Sequence, residues 1–294
     1  MKVGVAIPQG WTGEYDGWEP ARAWARTVQL AQEAEGLGFE SIWVFDHFHT
    51  VPVSTDEITF ESFVTLTALA TATERVRIGH VVVCAGFRNP ALTAKMISTL
   101  DVVSGGRMNL GIGAGWKEDE WRAYGYGFPG PRDRLDNLED ALEVITAMMG
   151  PGRATYEGVH ARVQDAINVP KPLQKPRVPI MVGGNGPNRT WRLAARYADE
   201  LNLDGLSPEQ VRAALPVIAG RCEEIGRDPK SLPVSVHMFS PNLVATGRPR
   251  VDLIAGYREA GVSRVSGLIA AAAASDEALA SFADDCRSAG ADLA

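Results

Sequence analysis

Residues 76–112 read VRIGHVVVCAGFRNPALTAKMISTLDVVSGGRMNLGI, and this stretch decides the fold. Val76–Val83 is apolar except at Arg77, Gly79 and His80, which suits a short strand buried on both faces. Asn89-Pro90 then opens a helix, because Asn caps and Pro fits the first helical position. Leu92, Met96, Thr99 and Val103 are expected along its packed face, and Gly105-Gly106 closes it. Met108–Ile112 is the next apolar strand. A strand, a helix and a second apolar strand form the unit of a parallel sheet covered by helices.

The same rhythm continues in both directions. Toward the N-terminus lie a strand over Val3–Ile7, a helix over 20–37, a strand over Ser41–Phe45 and a helix over 60–73 with Phe63, Leu66 and Ala70 on one face. Toward the C-terminus, Leu135, Leu138, Leu142, Ile145 and Met149 step by helical spacing. Strands follow over Val178–Val182, Glu200–Leu203, Val234–Phe239 and Val262–Leu268. Helices alternate with them over 188–198, 207–225, 250–260 and 275–287, the second opened by a capping box at Ser207 and Gln210. Eight such pairs in 294 residues predict an α/β protein, a single (β/α)₈ barrel domain over 1–294. Two inserts break the rhythm, residues 114–131 after the fourth strand and 151–177 before the fifth. A doubly wound sheet would want a glycine-rich turn after the first strand, where this chain has Pro8-Gln9-Gly10-Trp11.

Composition excludes several classes. A net charge of −7 argues against nucleic acid as a partner. Three cysteines with no C-x-x-C pair give neither a disulfide framework nor a structural zinc site. The apolar run at the start is too short for a signal peptide and no stretch suits a membrane span, so a cytoplasmic protein acting on a small molecule is expected.

Barrel sites lie at the C-terminal ends of the strands. There the sequence places Gln9, then Asp46-His47, then Val81, Val82 and Cys84, then Ala114, Gly115 and Trp116, then Gly183-Gly184-Asn185-Gly186. Later strands end at Asp204, His237 and Ser266. A histidine beside a carboxylate can move protons near neutral pH. Glycines between a strand and a helix start let backbone N–H groups approach a phosphate, although a plain tight turn would use the same residues. Small residues at Ala114 and Gly115 make room for a flat ring, and Gln9 and Trp116 are candidate walls of a substrate pocket. His47-x-His49 resembles half of a metal site, but three converging ligands are needed and only His237 lies at another strand end, so no metal is expected. Cys84 is read as a small buried hydrophobe, and no Ser or Cys stands in a triad pattern.

Four segments in order, SIWVFDHF (41–48), RIGHVVVCAGFRNPALTAK (77–95), TLDVVSGGRMNLGIGAGWKEDE (99–120) and PIMVGGNGPNRTWRLAARYADELN (179–202), resemble the luciferase-like monooxygenase superfamily, and within it the oxidoreductases that use the deazaflavin coenzyme F420. The resemblance implies a (β/α)₈ barrel that forms a homodimer. It implies a cis peptide between Val81 and Val82 behind the tricyclic ring, Cys84 beside that ring, Asp46 approaching it, His47 facing substrate, and the cofactor phosphate at Gly183, Gly184, Asn185 and Gly186. The sugar-phosphate dehydrogenases of this branch carry a catalytic Glu where this chain has Trp116, which favours a flatter, less polar substrate. The expected reaction is F420-dependent hydride transfer to or from a C=C, C=N or C=O/alcohol carbon, an unsaturated or imine metabolite first, with His47 carrying the paired proton. The alternatives are an FMN-dependent monooxygenase of the same fold, a metal-dependent barrel hydrolase, and a barrel that only binds a cofactor.

Overall fold

The computed structural model describes residues 1–239 and 245–293. Its strands are β1 (Lys2–Ala6), β2 (Ser41–Val44), β3 (Arg77–His80), β4 (Val83–Cys84), β5 (Met108–Gly113), β6 (Ala154–Glu157), β7 (Arg162–Ala166), β8 (Ile180–Gly183), β9 (Glu200–Asp204), β10 (Val234–Met238) and β11 (Arg264–Leu268). The parallel order β3-β2-β1-β11-β10-β9-β8-β5 closes on itself because β5 also pairs with β3. Eight staves therefore form a barrel, with β3 and β4 the two halves of its third stave. Helices α1 (Pro20–Gly36), α2 (Ser62–Ala72), α3 (Pro90–Val103), α5 (Pro131–Met149), α6 (Thr190–Tyr197), α7 (Pro208–Glu223), α8 (Arg248–Glu259) and α9 (Ala278–Ser288) surround it, and a short α4 (Glu118–Ala123) lies in the first insert.

The barrel is filled rather than hollow. Trp43, fully buried on β2, lies across its interior with its indole N–H donated to Ser41 Oγ at 2.9 Å. It fits because Gly4 and Gly79 face it; a Cβ at Gly4 would approach the indole nitrogen to 2.6 Å.

Three sequence expectations change. The buried face of α3 is Thr93, Ala94, Ile97, Ser98, Leu100 and Asp101, whereas Leu92 and Val103 point outward. Helical spacing alone could not choose between two apolar faces of one helix. The strand read as continuous over Val76–Val83 is broken at Val81-Val82, where the cis peptide that the resemblance implied is present, the one non-proline cis peptide among the described residues. The second insert holds an antiparallel hairpin, β6 with β7, that the pattern did not show. Asp140 of α5 anchors it, accepting from Tyr156 Oη at 2.7 Å and from the backbone N–H of His160 at 2.6 Å. The capping box at Ser207 and Gln210 forms as expected.

Candidate active site

A cavity of about 300 Å³ opens at the C-terminal ends of the staves. Its floor is the break in the third stave. There the Val82 side chain sits between Gly113 and Gly183: a Cβ at either glycine would come within 2.9 and 2.8 Å of the valine methyls. Both positions must therefore be glycine for Val82 to lie flat between β5 and β8. Gly115 has φ +81°, and a Cβ there would also meet the Trp121 ring at 2.9 Å. The Gly-x-Gly run around Ala114 thus keeps the cavity open.

Asp46, at the end of β2, is almost fully buried and supports this floor. Its oxygens accept from Arg88 Nη1 and Nη2 at 2.7 and 2.9 Å, from Ser62 Oγ at 2.7 Å and from Cys84 N–H at 2.9 Å. Burial pushes its carboxyl up, but the Arg88 guanidinium and the Ser62 hydroxyl outweigh that and hold it below the usual carboxylate range. Both oxygens being engaged, Asp46 supports the floor beneath the space where a ring was expected. Cys84 lines the cavity, and burial followed by the nearby Asp46 pushes its thiol up strongly, so it stays neutral.

His47 is the group free to act. Its Nδ1 lies 2.9 Å from Glu120 Oε2, and the other Glu120 oxygen accepts the Phe48 backbone N–H. A carboxylate only accepts, so Nδ1 carries the hydrogen and Nε2 is left for a ligand. The Trp11 ring stacks on the imidazole at 5.1 Å and 9°, and Trp116 meets it edge-on at 5.9 Å. Glu120 comes from α4, in the first insert, and is buried.

Across the cavity, His237 Nδ1 lies 2.7 Å from Asn202 Oδ1 and its Nε2 lies 3.2 Å from Asp204 Oδ1. Asn202 Nδ2 donates to Ser235 Oγ at 2.9 Å, which fixes the amide oxygen toward the imidazole.

Of the other expected site residues, Val81, Val82, Ala114, Gly115, Trp116, Gly183 and Gly184 line the cavity. Gln9 does not. It is fully buried, and its carboxamide pairs with both backbone groups of Phe45, accepting at 2.6 Å and donating at 3.2 Å. Trp11, two residues on, takes its place on the wall. Asn185 and Gly186 also fall outside the lining residues. The Asn185 amide is engaged with the Asp204 backbone at 2.8 and 2.9 Å, tying the loop to β9, and Thr190 at the start of α6 faces the cavity instead. His49 turns away, with Nδ1 3.0 Å from Thr50 O. Among the described residues, the group close enough to share a metal ion is Asp133, Asp136 and His160, outside this cavity.

Sequence reasoning missed Glu120, Trp11, Lys117, Thr190 and Asn202, and left His237 unassigned. Glu120 sits among three acidic residues, Glu118-Asp119-Glu120, with nothing in the sequence to single it out.

Residues 1–283 match the family model described as luciferase-like monooxygenase. The chain belongs to this family. Among its relatives, an F420-dependent glucose-6-phosphate dehydrogenase of Microbacterium testaceum is 34% identical over 201 residues, which cover 66% of this chain and 57% of that protein. A 5,10-methylenetetrahydromethanopterin reductase of Methanolobus tindarius is 28% identical over 212 residues, covering 72% of this chain and 60% of the relative. Both matches thus span less than two thirds of the family relative's own length. A solved structure of an F420-dependent secondary alcohol dehydrogenase, in complex with an F420-acetone adduct, superposes with a TM-score of 0.82 at 19% identity, covering 98% of each chain. At that identity the likeness speaks for the fold. Among the described residues no helix is long and apolar enough to cross a membrane.

Proposed function

We propose that this chain is an F420-dependent oxidoreductase that transfers a hydride between the deazaflavin and a small organic substrate. The observation that carries it is the pairing of a flat, glycine-framed floor at Val81-Val82 with one imidazole, His47, oriented by a buried carboxylate. The names of the family relatives support the choice of cofactor.

The residues present fit such a group. Gly113, Gly115 and Gly183 clear the space a planar ring needs, and Val82 gives it an apolar support. Gly183, Gly184 and Thr190 line the end of the cavity near the start of α6, where the positive end of the helix dipole suits a phosphate. A deazaflavin supplies hydride chemistry, having carbon where a flavin has its reactive nitrogen. The protein's part is orientation and one proton. Glu120 fixes the His47 tautomer, Trp11 and Trp116 hold the ring in place, and Nε2 gives or takes the proton that accompanies hydride transfer. Asp46 acts at one remove, holding the Cys84 backbone and thereby the floor.

Trp116 stands at the mouth, 63% exposed, and adds apolar surface that favours a flat substrate. We further infer a single domain over 1–294, a cytoplasmic location and a homodimer. The outward apolar residues Val64 on α2 and Leu92 and Val103 on α3 support the dimer. His47→Ala tests the reading. Turnover should fall by ~10²–10⁴ with F420 affinity nearly unchanged, and lost F420 binding would make His47 a cofactor ligand instead.

A further inference from the structure

Three carboxylates lie on one stripe of α5. Asp133, Asp136 and Asp140 are spaced by three and four residues, so they project from the same side of the helix. The stripe meets the tip of the hairpin formed by β6 and β7. Asp140 is committed to that tip: one oxygen accepts the Tyr156 hydroxyl, and the other accepts the backbone N–H groups of His160 and Ala161 at 2.6 and 3.2 Å. The approach is so close that a Cβ at Gly158 would come within 2.4 Å of the Asp140 carboxylate. His160 is thereby held beside the first turns of α5.

The other two carboxylates and this imidazole converge. One ligand atom from each of Asp133, Asp136 and His160 lies within 4.8 Å of the others. Asp136 Oδ1 is paired with Arg189 at 2.6 Å, while its Oδ2 has Arg132 no nearer than 3.8 Å. Among the described residues, the Asp133 carboxylate and the His160 ring take part in no ion pair. The hairpin itself has little to hold it. Of the residues in β6 and β7 only Ala154 is buried, and a two-stranded hairpin is marginal without further support.

We propose that Asp133, Asp136 and His160 bind one divalent transition-metal ion of the Zn²⁺ kind, which clamps the hairpin tip to α5. Zinc takes imidazole and carboxylate ligands at about 2.0–2.2 Å, which sets them roughly 3–4 Å apart around a tetrahedral ion. The three side chains, two exposed and one half-buried, close the remaining distance of about 1 Å by small rotations. Asp136 keeps Arg189 on Oδ1 and gives Oδ2 to the ion. Water completes the coordination from the polar cavity of about 540 Å³ that His160 lines with Asn137 and Arg162. The imidazole selects the metal, because Mg²⁺ and Ca²⁺ take oxygen ligands whereas imidazole suits zinc and its neighbours. The ion is structural, since none of its three ligands lines the cavity assigned to F420.

The test titrates the chelator-treated full chain with ZnCl₂ and, separately, with MgCl₂ in a calorimeter. One Zn²⁺ should bind per chain with a Kd of about 10 μM or tighter, and Mg²⁺ about 100-fold or more weakly. His160→Ala and Asp133→Asn should each weaken Zn²⁺ binding about tenfold or more, while His49→Ala, which removes a histidine outside the cluster, leaves it unchanged. Zn²⁺ should also slow hydrogen exchange of the β6 and β7 amides severalfold in the wild type and not in His160→Ala. The proposal would be overturned by a Zn²⁺ affinity weaker than about 1 mM, by binding that both variants leave unchanged, or by Mg²⁺ binding as tightly as Zn²⁺. Bound Zn²⁺ that leaves hairpin exchange unaltered would overturn the clamp.

Discussion

His80 should make the stability of this protein depend on pH well above the range where carboxylates titrate. The residue ends β3, immediately before Val81, and is completely buried against Phe63, with ring centroids 4.3 Å apart. Among the described residues neither ring nitrogen has a hydrogen-bond partner. Burial lowers its pKa to about 3, against the ordinary 6.5, although the neighbouring Asp46 pulls it back up. Between those two values the unfolded chain binds a proton that the folded chain does not. Stability is therefore full above pH 6.5 and falls as the pH drops through the window toward 3. Each pH unit below 6.5 removes about 1.4 kcal/mol, so going from pH 7 to pH 5 should cost about 2 kcal/mol from this group. Asp46 acts in a separate window, since its lowered pKa keeps its contribution constant until the pH falls below its ordinary 3.8. Urea denaturation of the wild type and of His80→Leu at pH 7 and pH 5 measures the effect. The variant should lose about 2 kcal/mol less than the wild type over that interval. Equal losses in the two proteins, or a His80 resonance that titrates near 6.5 in the folded state, would show that burial does not hold this imidazole neutral.

Other changes have equally definite outcomes. Glu120→Gln leaves His47 without its carboxylate and should lower kcat by ~10²-fold, with F420 affinity within a few-fold of wild type by fluorescence titration. Gly183→Ala drives a methyl toward Val82, 2.8 Å away, and should cost about 1–3 kcal/mol in denaturant melts and weaken F420 binding about tenfold or more. Asp46→Asn leaves Arg88 with Glu61, at 2.9 Å, as its one charged partner among the described residues and should destabilise by about 2–4 kcal/mol, read as a lowered Tm, with less cofactor bound.

The barrel was legible because parallel staves buried on both faces read as continuous apolar runs, and amphipathic helices such as α5 read by their spacing. The face of α3 was not legible, since Leu92 and Val103 look like core and form an exposed apolar surface. The hairpin of β6 and β7 escaped notice because its alternation is mostly polar, with Asp140 from another element holding it. In the site, position along a strand end found His47, Asp46 and the glycines, while their roles depended on partners distant in sequence. Asp46 is engaged by Arg88, 42 residues on, and His47 is held by Glu120, 73 residues on. Gln9 and Asn185 show the reverse case, polar residues at strand ends whose side chains bind backbone instead of facing a ligand.

Direct titration decides which cofactor the cavity takes. Protein stripped of small molecules would be titrated with F420 and, separately, with FMN, following quenching of fluorescence. F420 should bind with micromolar or tighter affinity and FMN distinctly more weakly. Preference for FMN would make this an oxygen-using flavin enzyme, and binding of neither would contradict the assignment of the Val82 floor and the Gly183–Gly184 end of the cavity to a deazaflavin.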